Sequence, residues 1–193
     1  MEKTAPPDSA QPPAHDAELR NRTLVLVGMM GAGKSSVGKR LATALGLPFR
    51  DADEEIERAA GRTVSEIFAT RGEAEFREGE RRVIARLLDL PPHVLATGGG
   101  AFMNPETRAL VKQKAMSIWL RTDPEVLARR VGRKDTRPLL KGRDPRLVLA
   151  ELLEKREPSY READLIVESA EGPHMATVEI IIAALKARLG GAD

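Results

Sequence analysis

The chain has 193 residues, room for one domain around one core, and its 31 Lys+Arg against 29 Asp+Glu leave a formal net charge of +2. At 41% hydrophobic and 31% charged it has a globular composition, and the absence of Cys removes disulfide frameworks, thiolate nucleophiles and Cys-based zinc sites together. Aromatics at 3% and a charge near zero argue against base-stacking platforms and strong counterion-release binding, so no nucleic-acid partner is expected; no apolar run reaches the roughly 18 residues of a membrane span, so no membrane partner is either.

The near-neutral sum hides a polarity. Residues 51–80 hold ten acids and four Arg, whereas residues 121–146 hold nine bases and four acids. A local anion clamp accounts for the basic stretch better than a nucleic-acid footprint does. The three His (His15, His93, His174) have no metal-ligand spacing, so any metal must be held by oxygen.

In chain order, residues 1–21 read as a disordered tail, since the first twenty carry four Pro, four Ala and hardly a large apolar side chain. They lack the apolar stretch of a secretory signal, which with the missing Cys points to a cytoplasmic protein. One domain then spans 22–190, with 191–193 as a short tail. Thr23 to Val27 is an unbroken apolar run, as a strand buried on both faces requires. Residues 35–45 have a helical stripe closed by Gly46, and 47–50 form a short extended piece leading to Asp51. A helix is predicted over 53–60 and stopped by Gly61. Thr63-Val64-Ser65-Glu66 is a capping box opening a short helix to Arg71, and a long helix follows over 73–90 until Pro91-Pro92. Residues 93–97 form a second buried strand that empties into Gly98-Gly99-Gly100. Asn104-Pro105, Asp123-Pro124 and Asp144-Pro145 each pair a cap with Pro at the first helical position, residues 116–120 and 165–167 form further strands, and 175–189 a closing helix. The polar, basic stretch 132–143 is long enough to be a functional lid. Strands alternating with helices predict an α/β fold with a parallel sheet covered on both faces.

The chemistry starts at Gly28-Met29-Met30-Gly31-Ala32-Gly33-Lys34-Ser35, a complete G-x-x-x-x-G-K-[ST] lying between a strand and a helix. Its glycines let backbone N–H groups curl around phosphate, Lys34 can reach the β- and γ-phosphates, and the Ser35 hydroxyl can ligate Mg²⁺. Neither Asn21 nor Asn104 begins a guanine-reading motif. The strand 94–97 ends in Thr97 and three glycines rather than in the Asp of a motor ATPase, leaving a bare backbone surface for a second substrate or a tight turn. Asp51-x-Asp53 supplies the missing carboxylates: one Asp for the metal site, the other to accept a proton from a substrate hydroxyl, unless Asp53 only caps the next helix.

Together with Phe76-Arg77-x-x-Glu80, Gly98-Gly99-Gly100 and Arg137-Pro138-Leu139-Leu140, these motifs resemble the shikimate kinase family over about residues 22–189. The resemblance implies a three-layer P-loop kinase fold with a central parallel five-stranded sheet, a substrate-binding helical region at about 51–90 and a mobile lid at about 132–144. It implies transfer of the ATP γ-phosphoryl group to the 3-hydroxyl of shikimate with one Mg²⁺, by a cytoplasmic monomer on the route to chorismate. Carried over to this chain, Gly31, Ala32, Gly33, Lys34, Ser35 and Ser36 hold phosphate, Ser35 and Asp51 the metal. Asp53 becomes the base. Phe76, Arg77, Gly98, Gly99, Gly100 and Arg156 join Asp53 around shikimate, with Glu80 steadying Arg77. Arg130 and Pro173 flank adenine, and Arg137 of the lid reaches phosphates and substrate, so that Lys34, Asp53 and Arg137 form the catalytic set. The remaining alternatives are a related P-loop kinase acting on gluconate or a nucleoside monophosphate, and a nucleotide-switched regulator binding a macromolecule.

Overall fold

Thr23–Val27 (β1) is buried at every position, which places it inside a sheet with both faces covered. The computed structural model describes residues 19–131, 144–169 and 172–190. Its five-stranded sheet has the order β2-β3-β1-β4-β5, with β2 Phe49–Asp51, β3 Val94–Ala96, β4 Ala115–Arg121 and β5 Leu165–Glu168. All four pairings are parallel: Leu24 lies opposite Val94 and Met116, Asp51 opposite Ala96, and Ile118 opposite Leu165. The helices are α1 Lys34–Leu45, α2 Ala52–Ala60, α3 Val64–Leu88, α4 Pro105–Lys114, α5 Pro124–Val131, α6 Pro145–Tyr160 and α7 His174–Gly190, with a 3₁₀ turn at Ala101–Met103.

The predicted punctuation is used as read. Gly46 and Gly61 end their helices in the left-handed conformation, at φ 66° and 63°. Thr63 and Glu66 form the reciprocal capping box, and Asn104, Asp123 and Asp144 accept from the first N–H groups of α4, α5 and α6. The break expected between the two helices of 64–90 is a kink in α3 at Gly72, where φ 81° and ψ 173° suit glycine alone. Helix α3 ends at Leu88 with Asp89 as its cap, so Leu90 lies past it.

One core fills the space around the sheet, from Leu24 and Leu26 through Trp119, Leu149 and Tyr160 to Leu185. A separate small cluster of Ile56, Ile67 and Phe76 lies under α2 and the first part of α3. Leu19 is 2% exposed and belongs to the main core, so the packed body begins ahead of the expected start at residue 22. Residues 132–143 of the predicted lid, Arg137 included, lie outside the described residues.

Candidate active site

The C-terminal ends of β1, β2 and β3 open into one cleft of about 850 Å³, where ligands of open α/β sheets gather. Its phosphate end is the loop after β1. Gly28, Gly31 and Gly33 all have positive φ, at 137°, 83° and 90°. Side chains there would also collide, because a Cβ on Gly28 would meet the Leu120 carbonyl oxygen at 2.8 Å and one on Gly31 the Val131 side chain at 2.8 Å. Helix α1 then starts with Gly33 as its N-cap and no side-chain cap, so its positive end faces the loop. Lys34 Nζ is drawn along the loop by the carbonyls of Gly28 and Met29, at 2.8 and 2.9 Å.

Asp51 resolves the choice between capping and chemistry. Its Oδ1 accepts from the Asp53 N–H at 3.0 Å and so caps α2, while its Oδ2 accepts from the Ser35 hydroxyl at 2.6 Å. Asp53 is therefore not the cap, and its carboxyl lines the cleft. Burial, then the neighbouring Asp51 charge, hold Asp53 above the usual carboxylate range, with Lys34 pulling the other way. Ser35 Oγ and the Asp51 carboxylate form a paired oxygen set beside the loop, donors suited to a hard cation that keeps waters and takes phosphate oxygens as its other ligands.

Four elements build the other end. Helix α3 supplies Arg77, whose Nη1 donates to Glu80 Oε2 at 2.7 Å and whose Nη2 donates to Glu73 at 3.2 Å. Its guanidinium lies over the rings of Phe76 and Phe68, 5.1 and 5.9 Å from their centroids. Glu80 is 2% exposed; burial raises its pKa and Arg77 opposes the rise. The glycines after β3 are there for want of room. A Cβ on Gly98 would fall 2.7 Å from Glu80 Oε1 and 3.0 Å from Asp53 Oδ1, and one on Gly100 would fall 2.5 Å from Arg77 Cζ. Helix α6 adds Arg156, buried, with Nη1 donating to the Gly99 carbonyl at 3.1 Å. The cleft thus joins a phosphate cradle to a pocket with two guanidinium groups and a carboxylate of raised pKa, an arrangement that fits a hydroxylated carboxylic acid.

Of the residues expected from sequence, Gly31, Gly33, Lys34, Ser35, Ser36, Asp51, Asp53, Phe76, Arg77, Gly98, Gly99, Gly100, Arg130 and Arg156 line this cleft together. Ala32 is fully buried behind the loop. Phe76 is 4% exposed and spends most of its surface in the small core cluster. Arg130 donates to the Gly31 carbonyl at 3.4 Å, while Pro173 is exposed. Its neighbour His174, which sequence reasoning passed over, lines the cleft. Its ring stands where a Cβ on Gly33 would meet it at 3.3 Å, and burial followed by the charges of Arg40 and Arg130 lowers its pKa. Tyr160 was also missed; its hydroxyl donates to the Gly99 carbonyl at 2.5 Å. No local pattern announces either one.

A sequence model of the shikimate kinase family matches residues 30–186. The shikimate kinase of Caulobacter vibrioides (strain NA1000 / CB15N) is 66% identical over 170 residues, covering 88% of this chain and 85% of that one. That of Rhodopseudomonas palustris is 53% identical over 189 residues, covering 96% and 93%. Among solved structures, shikimate kinase from Acinetobacter baumannii in complex with shikimate superposes with a TM-score of 0.86 at 37% identity, over 90% of this chain and 98% of that one.

Proposed function

We infer the roles of the cleft's residues from one premise: the chain belongs to the shikimate kinase family. It transfers the γ-phosphoryl group of ATP to the 3-hydroxyl of shikimate, giving shikimate 3-phosphate and ADP on the route to chorismate and the aromatic amino acids. In our reading the P-loop N–H groups and Lys34 hold the β- and γ-phosphates, and Ser35 with Asp51 holds Mg²⁺, which when bound neutralises phosphate charge. Asp53 accepts the proton of the attacking hydroxyl. Its raised pKa favours that role, because a base nearer the working pH keeps the proton it takes. Arg77, kept in place by Glu80, and Arg156 clamp the shikimate carboxylate, with Gly98, Gly99 and Gly100 leaving the space beside them. Arg130 and Pro173 take the adenine, and the segment 132–144, with Arg137, closes over the phosphates as a lid beside a substrate-binding region at 51–90.

The observation that carries this reading is a single cleft lined by both Lys34 and the Asp53, Arg77 and Arg156 group. The family resemblance favours a monomer, and no helix of the described residues is long and apolar enough to cross a membrane. We place the enzyme in the cytoplasm with no nucleic-acid partner. The experiment is a coupled ADP-release assay with ATP·Mg²⁺ across shikimate, gluconate and nucleoside monophosphates, with and without nucleic acid. Shikimate alone is expected to support turnover. A better acceptor, or stimulation by nucleic acid, would remove the assignment.

A further inference from the structure

Helix α6 directs two side chains, one turn apart, onto a single backbone oxygen. The Gly99 carbonyl accepts from Arg156 Nη1 at 3.1 Å and from the Tyr160 hydroxyl at 2.5 Å. Arg156 already has a role in the acceptor pocket, whereas Tyr160 has none. Its side chain is fully buried, its ring is stacked on Trp119 with centroids 5.6 Å apart, and its hydroxyl lies 3.9 Å from Met29 Sδ at the start of the P-loop. Tyr160 therefore stands behind both halves of the cleft. A buried phenol needs an acceptor for its proton, and here that acceptor is the Gly99 oxygen. Burial pushes the phenol pKa up to about 12, so at neutral pH it remains a donor.

What the hydroxyl fixes follows from peptide geometry. The Gly99–Gly100 peptide is planar and trans, so holding its C=O also sets its N–H, which points the opposite way and so away from the buried ring. The carbonyls of Gly98 and Gly100 are taken by the N–H groups of Ala101 and Met103 in the 3₁₀ turn. The Gly99 carbonyl is held by the two α6 side chains instead, and three consecutive glycines have little preference of their own. Gly100 faces the Arg77 guanidinium, since a Cβ there would overlap it.

We propose that Tyr160 is a positioning residue of the acceptor pocket: its hydroxyl orients the Gly99–Gly100 peptide so that the Gly100 N–H is presented, beside Arg77, to the anionic end of shikimate. The proposal rests on the assignment of Arg77 and the three glycines to shikimate. Tyr160→Phe keeps the ring and its stack and removes only the hydroxyl, with its bonds to the Gly99 carbonyl, Met29 Sδ and Arg156. It is expected to raise the shikimate KM about three- to tenfold, while the ATP KM and kcat stay within about twofold and the emission of Trp119, the only Trp in the chain, is unchanged without ligand. An unchanged shikimate KM, or an equal rise for ATP, overturns the proposal. Arg77→Ala in the same assay tells the two readings apart. If it weakens shikimate and Tyr160→Phe does not, the role of Tyr160 falls alone; if neither does, the siting of the acceptor falls with it. Should the Phe variant fail to fold, 3-fluorotyrosine can be incorporated, because Tyr160 is the only Tyr. Its single ¹⁹F resonance is expected to shift on saturation with shikimate, and an unmoved resonance overturns the proposal.

Discussion

The two ends of the cleft are made of different material. At the phosphate end the cradle is shaped by backbone, with three positive-φ glycines and the start of α1 in one short stretch of chain that also carries Lys34 and Ser35. At the acceptor end it is mostly side chains from α2, α3 and α6, brought against a glycine loop that leaves them room and, in our proposal, adds the Gly100 N–H. A backbone cradle recognises any polyphosphate and tolerates changes around it. The side-chain clamp we propose would select one acid, and its members depend on the packing of separate elements. The two halves are expected to fail separately.

The largest expected effect breaks the chemistry and leaves both halves standing. Asp53→Asn should lower kcat by about 10²- to 10⁴-fold with both KM values nearly unchanged, measured at saturating substrates. In the unsubstituted enzyme kcat should fall as pH drops below the raised pKa of Asp53. The stability consequence has the opposite sense. The folded chain holds the Asp53 proton more tightly than the unfolded chain does, so stability falls as pH rises from the usual carboxylate value through the raised one. At neutral pH a neutral Asn escapes that penalty, and thermal unfolding should show the inactive variant melting higher. A lower Tm would mean that Asp53 supports the fold.

Arg77→Ala comes next. It should cost shikimate binding about 2–5 kcal/mol, because Glu80 also loses the partner on its Oε2, while the ATP KM stays within about twofold. Equal losses for both substrates would erase the distinction between the ends. A paired test on glycines sharpens it: Gly100→Ala should raise the shikimate KM alone by displacing the Arg77 guanidinium. Gly33→Ala, at φ 90°, should raise the ATP KM alone, each by about 1–3 kcal/mol. The smallest effect lies away from the cleft. His93 precedes β3 at the opposite end of that strand, fully buried, with Nδ1 against the Pro91 carbonyl, and burial lowers its pKa below 6.5. The unfolded chain takes up a proton below pH 6.5 before the folded chain does, so stability falls as pH drops through that value, by at most about 1.4 kcal/mol per unit. His93→Gln should flatten the Tm profile there and move neither KM.

What could be read from sequence divides along the same line. The P-loop, the strand before it, the capping box at Thr63 and the Asn104-Pro105 start are local patterns whose physics is complete within a few residues, and the structure uses each of them. Asp51 and Asp53 were both visible, but that Asp51 both caps α2 and meets Ser35, sixteen residues away, is not written in the local pattern. Leu19 sits in a stretch whose composition suits a tail, and only the core around it reveals its burial. Tyr160 resembles any core aromatic until Gly99, sixty-one positions earlier, is brought against its hydroxyl.

The place of β1 in the sheet carries a cost in time. Its flanks are β3 and β4, so Leu24 finds its partners only at Val94 and Met116. Long loops must close before such parallel pairing is rewarded, which is the slow kind of folding. The loop that is most local in sequence therefore gains its full support only after the chain through Arg121 has emerged. The clamp waits for Arg156 and Tyr160, and the adenine side of our reading for Pro173, so neither ligand should find its whole site until nearly all of the chain has emerged.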